Sequence, residues 1–260
     1  MKVGIVCAGD DELAPFLPIV ENCKIIERTR LKFYEGQIHG MEVVALFSGV
    51  CKVNAAIASQ ILIDIFGVNM IINSGTAGGM NPKLNIFDTV ISTEVCYHDV
   101  APDILTDFHP WMKSIFFEAD RELIELSKTA VEKAALTGKV FWGRMVTGES
   151  FITDEGRQKI NDEFAPLTVD METASIAHVC YVNNIPFLSI RCVTDTAEHS
   201  GVGNFEENCA KASVIAKNIT TDYSGSPAHP GRSSAQPDRA SAHLIRSAVQ
   251  LMPVADQHTY

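Results

Sequence analysis

The chain has 260 residues and a mass of 28.4 kDa, long enough for one sizeable buried core and far too long for a peptide hormone or a minimal binding module. With 46% hydrophobic and 20% charged residues it has an ordinary globular composition, and no window approaches the roughly 18 consecutive apolar residues that span a bilayer. A net charge of -11 gives no general attraction to nucleic acid or to an anionic membrane surface.

The predicted elements alternate along the chain. Apolar, β-branched runs at 2–7 (KVGIVC), 43–47, 69–73, 89–96 and 187–193 read as mostly parallel strands covered on both faces. Helices are expected at 52–66, stopped by Gly67, and at 120–135 and 171–183. The segment 31–47, with Ile38-His39-Gly40-Met41 at its centre, reads as a β-hairpin. Together these predict an α/β fold: a single three-layer α/β/α domain with a mixed central sheet over residues 1–222.

From Tyr223 onward the composition changes. Residues 224–260 contain four Pro and three of the eight His, but no Lys, Glu, Phe or Cys, and are expected to be a disordered or expression-derived tail, the alternative being a short docked helix at 238–252. The N-terminal apolar run is too short, and too acidic behind, for a signal peptide. Seven scattered cysteines without a C-x-x-C pair argue against a disulfide framework and against a zinc site, and suit a reducing cytoplasm.

Polar groups follow four predicted strands, those at 2–7, 69–73 and 187–193 and a further one ending at Val169, where open α/β sheets place their ligand crevice. They are Asp10-Asp11-Glu12, the glycine-rich turn Ser74-Gly75-Thr76-Ala77-Gly78-Gly79, Asp170 with Glu172, and Thr194-Asp195. Each acid alone has a structural explanation, since carboxylates ahead of a helix cap free N–H groups. Three converging acids point to a site. Neither a P-loop nor a G-x-G-x-x-G fingerprint is present, so a small uncharged ligand with hydroxyls fits better than a nucleotide. Phe151, after the Gly148-Glu149-Ser150 turn, is placed to stack a flat ring or to fill the core. His98-Asp99 is a weak candidate for a catalytic pair. Arg191, inside an apolar strand, requires a carboxylate partner if buried, with Glu12 and Glu172 as candidates.

These residues resemble a known family. The opening KVGIV with Glu12, SGVCKVNAA at 48–56, NSGTAGG at 73–79, Tyr97-His98-Asp99, GESFI at 148–152, VDMETASIA at 169–177 and RCVTD at 191–195 are similar to the 5′-methylthioadenosine/S-adenosylhomocysteine nucleosidases of the nucleoside phosphorylase and nucleosidase superfamily. The resemblance spans roughly residues 1–222 and implies a nucleoside phosphorylase-like fold. It also implies hydrolysis of the N-glycosidic bond of 5′-thio-substituted adenosines by a homodimer, with no metal or organic cofactor.

By that resemblance Asp195 is the general acid that protonates adenine, Glu12 activates water, and Glu172 with Met171 binds the ribose hydroxyls. Phe151 stacks adenine, the Ile152 backbone reads its edge, and Thr76 and Arg191 hold Glu12 and the water. Val50, Gly78, Thr194 and Phe205 complete the substrate-binding set. The chain departs from the family at Thr76 and Thr194, where Ser is common, and at Gly9, where a bulky residue is common. It also has Cys51 in place of Gly, and the run 100–111 (VAPDILTDFHPW) replaces a loop that lines the neighbouring subunit's 5′-substituent pocket. Gly9 suggests a roomier pocket, and the preferred 5′-substituent stays open. A phosphorylase, or a nucleoside-binding protein without turnover, is the alternative. The acids after the first strand would repel the phosphate that a phosphorylase needs.

Overall fold

The computed structural model describes residues 1–109, 112–133 and 138–221; the predicted tail and its alternative helix lie outside them. In chain order the elements are β1 (Lys2–Cys7), α1 (Asp10–Leu13), β2 (Glu21–Arg28), β3 (Leu31–Ile38), β4 (Met41–Phe47), α2 (Lys52–Asp64), β5 (Met70–Gly79), β6 (Thr89–Tyr97), α3 (Pro102–Asp107), β7 (Phe117–Glu118), α4 (Arg121–Lys133), β8 (Val140–Thr147), α5 (Asp154–Phe164), β9 (Thr168–Asp170), α6 (Thr173–Asn183), β10 (Phe187–Asp195) and α7 (Val202–Thr220).

The strands form one mixed sheet. β1 lies parallel to both β4 and β5, β5 is parallel to β10, and β6 pairs antiparallel with β10. The hairpin β3–β4 forms as expected, and β2 extends it by antiparallel pairing. Because β5 pairs with β9 and β10, β10 with β6, β6 with β8, and β8 with β9, those five strands close into a ring. Sequence periodicity carries no sign of this closure, which depends on pairings between segments far apart in the chain.

Strand alternation sends side chains into separate cores on the two faces of the sheet, and a third, smaller cluster gathers Cys96, Val146 and Val169 with Ile160 and Phe164 of α5. Val3, Ile5 and Cys7 pack on one face with Leu123 and Leu126 of α4 and Ala212, Ile215 and Ile219 of α7. Val6 and Leu46 pack on the other with Ala55, Ala58 and Leu62 of α2 and Ala174 and Ala177 of α6. Helices therefore cover both faces of the sheet, which explains why its central strands are apolar without alternation. Among the described residues, no helix is long and apolar enough to cross a membrane.

Two expectations about local structure need correction. The glycine-rich segment after residue 73 is not a turn: β5 runs on through Gly79, held by β10 along one edge and by β9 at its end. Strand β10 likewise continues through Thr194 and Asp195 instead of stopping at residue 193. Tertiary pairing overrides the turn preference of glycine because its missing side chains leave room for groups from other elements.

Candidate active site

A cavity of about 380 Å³ opens where β1, β5, β9 and β10 end. Its lining includes Glu12, Thr76, Glu172 and Asp195 together with Phe151 and Phe205. Val50, Gly78, Ile152, Met171 and Thr194 also line it, so the cavity collects every catalytic and substrate-binding residue implied by the family resemblance except Arg191. Arg191 sits behind the wall, wholly enclosed.

Glu12 is buried on α1 and held from three sides. The Ala8 N–H donates to Oε2 at 2.6 Å; the Thr76 N–H and the Thr76 hydroxyl donate to Oε1 at 2.7 and 2.8 Å. The guanidinium of Arg191 lies 3.6 Å from the same Oε1. This grip needs a bare strand beside it, and Gly75 supplies one, since a Cβ there would collide with the Glu12 carboxyl.

Arg191 pairs with both partners expected from the sequence and with a third. It lies 3.3 Å from Glu172 Oε2 and 3.3 Å from Asp170 Oδ2. Burial alone would lower the guanidinium pKa, but Asp170, Glu12 and Glu172 together outweigh it and raise it. Asp170 is the member of this group to which sequence reasoning gave no role. It accepts from Thr147 Oγ1 at 2.7 Å and from the N–H groups of Glu172 and Thr173 at 3.1 and 3.0 Å, which fixes the start of α6. Its position at the end of a strand and two residues before Glu172 is the signal in the sequence.

Glu172 stands at the N-terminus of α6, where its Oε1 accepts from the Cys51 N–H at 3.0 Å. Burial pushes its carboxyl up to about 7, against the opposing pull of Arg191. Cys51 donates this bond from a backbone with φ of 83°, a conformation that glycine adopts without strain.

Asp195 is placed by an irregularity. Between Val193 and Asp195 the register with β5 slips by one residue, so that Asp195 faces Gly78 and the cavity. Thr194 Oγ1 donates to Asp195 Oδ1 at 3.0 Å, whereas Oδ2 has no hydrogen-bond partner among the described residues. Burial raises the Asp195 pKa; the Thr194 bond and the nearby Arg157 pull it down less strongly.

Phe151 is partly exposed at the cavity mouth and meets Phe205 of α7 edge to face, with centroids 6.1 Å apart. His98 and Asp99 stand apart from the cavity. The Asp99 carboxylate is taken by Lys52 Nζ at 3.0 Å and the Glu149 N–H at 2.9 Å, and neither residue lines the cavity. Gly9 does line it, and a Cβ there would meet nothing within 4 Å. None of residues 100–109 lines this chain's own cavity.

A mixed sheet between helices, with a carboxylate-rich cavity at its strand ends, defines a protein of nucleoside phosphorylase type, and the family model of the phosphorylase superfamily matches residues 2–225. The 5′-methylthioadenosine/S-adenosylhomocysteine nucleosidase of Oceanobacillus iheyensis is 37% identical over 212 residues, covering 80% of this chain and 91% of that protein. Among solved structures, the nucleosidase of that name from Colwellia psychrerythraea, in complex with adenine, superposes with a TM-score of 0.78 at 33% identity, covering 85% of this chain and 93% of that one. Its counterpart from Neisseria meningitidis, in complex with methylthio-immucillin-A, gives 0.78 at 31% identity, covering 85% and 97%. The chain belongs to the phosphorylase superfamily and, within it, to the family of 5′-methylthioadenosine/S-adenosylhomocysteine nucleosidases.

Proposed function

We propose that this chain hydrolyses the N-glycosidic bond of 5′-methylthioadenosine and S-adenosylhomocysteine, releasing adenine and a 5-thioribose. The observation that carries this reading is the contrast between two carboxyls in one cavity. Glu12 is gripped by donors as an acceptor; Asp195 is buried with one oxygen unpartnered. Breaking the bond builds positive charge on the ribose and negative charge on the purine, so the reaction needs a base for water and a proton for the leaving group.

In this reading Asp195 gives its proton to the purine as the C–N electron pair moves onto the base. Glu12 takes a proton from the water that attacks the sugar carbon. Glu172 and Met171 bind the ribose hydroxyls, Phe151 stacks the base, and the Ile152 backbone reads its edge. Thr76 and Arg191 hold Glu12 in place, and Val50, Gly78, Thr194 and Phe205 shape the remaining walls. A buried Arg191 among three carboxylates leaves the sugar end of the cavity net negative, which suits a transient ribosyl cation.

Hydrolysis is favoured over phosphorolysis because Asp10, Asp11 and Glu12 all line the cavity and oppose a phosphate anion. The test is release of adenine from 5′-methylthioadenosine with and without inorganic phosphate. Turnover independent of phosphate is expected, and a strict phosphate requirement would refute hydrolysis. Asp195→Asn and Glu12→Gln should each lower turnover by about 10² to 10⁴ while adenine still binds. Adenine binding by a wild-type protein that shows no turnover would instead support a storage role.

The reading includes a homodimer in the cytoplasm. Support for the dimer comes from exposed apolar side chains beside the cavity, Val50 ahead of α2 and Val53 and Ile57 one turn apart on it. Phe108, 71% exposed, adds to the apolar surface in the segment where family members reach a neighbouring subunit.

A further inference from the structure

Arg157, on α5, is buried although its surroundings give it little to bind. Its Nη1 donates to the carbonyl of Gly79 at the end of β5 and touches Met80 Sδ at 3.3 Å. Nε and Nη2 have no hydrogen-bond partner among the described residues. Nη2 stands 3.8 Å from Asp195 Oδ2, which is itself unpartnered. One bond to a carbonyl does not balance the cost of burying a guanidinium, and the Asp195 carboxyl is the one acidic group of the described residues within ion-pair distance of it.

We propose that Arg157 is a positioning residue for Asp195, held as the counter-charge to the carboxylate that Asp195 becomes when it gives up its proton. The inference rests on the reading of Asp195 as general acid and deepens it. While Asp195 carries its proton, its carboxyl is neutral and the guanidinium has no reason to close the 3.8 Å gap. As the C–N bond breaks, the bonding pair goes to the purine, the proton follows from Asp195 to the base nitrogen, and an anion is left facing Nη2. The attraction then exists on the product side of the step and not before it, which is the condition for lowering a barrier.

Among the described residues, the other neighbours of Asp195 cannot supply this charge. Thr194 offers a neutral hydroxyl to Oδ1, β5 brings Gly78, and β9 brings Val169. Asn208 of α7 is committed to the Thr194 and Asn204 carbonyls. In the sequence a single Arg among polar residues looks like surface; burial singles Arg157 out.

The test compares Arg157→Gln and Arg157→Lys for kcat and kcat/KM against pH, alone and with Asp195→Asn. Loss of the charge should lower kcat by about 10-fold or more and move the basic limb of kcat/KM to higher pH by about one pH unit, because the isolated carboxyl holds its proton more tightly. Lys should restore most of both. With Asn at 195, adding Gln at 157 should change the residual single-turnover rate less than about twofold, since the acid is already gone. Arg157→Met keeps the buried stem and carries the same test if the Gln variant does not fold. An unmoved basic limb, an equal loss in the Lys variant, or the same fold-loss with Asn at 195 would overturn the role of Arg157 and leave Asp195 as the acid. Wild-type turnover in Asp195→Asn alone would overturn the assignment of Asp195, a separate outcome.

Discussion

Gly75 and Glu12 occupy adjoining space so tightly that a Cβ on the glycine would stand well inside 3.0 Å of the Glu12 carboxyl atoms. The glycine is therefore a seat for the proposed base, not a turn. Gly75→Ala should push Glu12 off the Ala8 and Thr76 N–H groups, cutting hydrolysis by about 10² or more and costing roughly 1–3 kcal/mol of stability. Adenine-release kinetics alongside urea unfolding check this. Activity within twofold of wild type would show that Glu12 tolerates displacement.

Among the described residues, Arg191 is the one cation within ion-pair distance of Glu12, Asp170 and Glu172. Arg191→Met leaves three buried carboxylates without their counter-charge, and the variant should lose roughly 3–5 kcal/mol, the usual cost of breaking a buried pair from one side. A lower urea midpoint with an unchanged slope is the expected signature. A midpoint equal to wild type would mean that the carboxylates take up protons at no cost.

Asp195 should impose a pH dependence on stability whose sign follows from burial. Its folded pKa is raised above the unfolded value, so the folded protein holds more protons between the two. The contribution is fully present below the unfolded pKa and is lost as pH rises through the folded one. Asp195→Asn lacks this loss. The stability of the Asn variant relative to wild type should therefore grow as pH rises from acid to neutral, and denaturation curves that run parallel across that range would exclude the shift.

Val53 is 68% exposed and Ile57 46% exposed, on the same side of α2. Ile57→Asp should halve the mass seen by light scattering if this face is the dimer contact. Because Val50, just ahead of α2, lines the cavity, KM should rise with the dissociation. An unchanged mass would place the contact elsewhere.

Some elements were legible in the chain and others were not, for identifiable reasons. Strands β1, β4, β5, β6 and β10 stand out because burial on both faces forces unbroken apolar runs. Strand β8 escaped notice because its run includes Gly143 and Arg144, the latter paired to Glu94 at 2.7 Å across the sheet. Strand β2 escaped because, as an exposed edge, it carries Glu21, Lys24, Glu27 and Arg28. Helix α7 carries helical spacing in Cys209, Ala212, Ala216 and Ile219, a signal that the sequence does contain.

The residues of the proposed site were readable one by one, since carboxylates, glycines and an arginine beside apolar strands are visible in any order of folding. What the chain by itself determined is the inventory: an acidic body, covered strands, and acids at their ends. The three-dimensional arrangement alone decided how they divide the work. Pairing of β5 with β9 and β10 turned the glycine segment into a strand, the register slip at Thr194 turned Asp195 toward the cavity, and burial brought Asp170 and Arg157 against groups far away in sequence. Charge and desolvation depend on distance through space, which residue order does not encode.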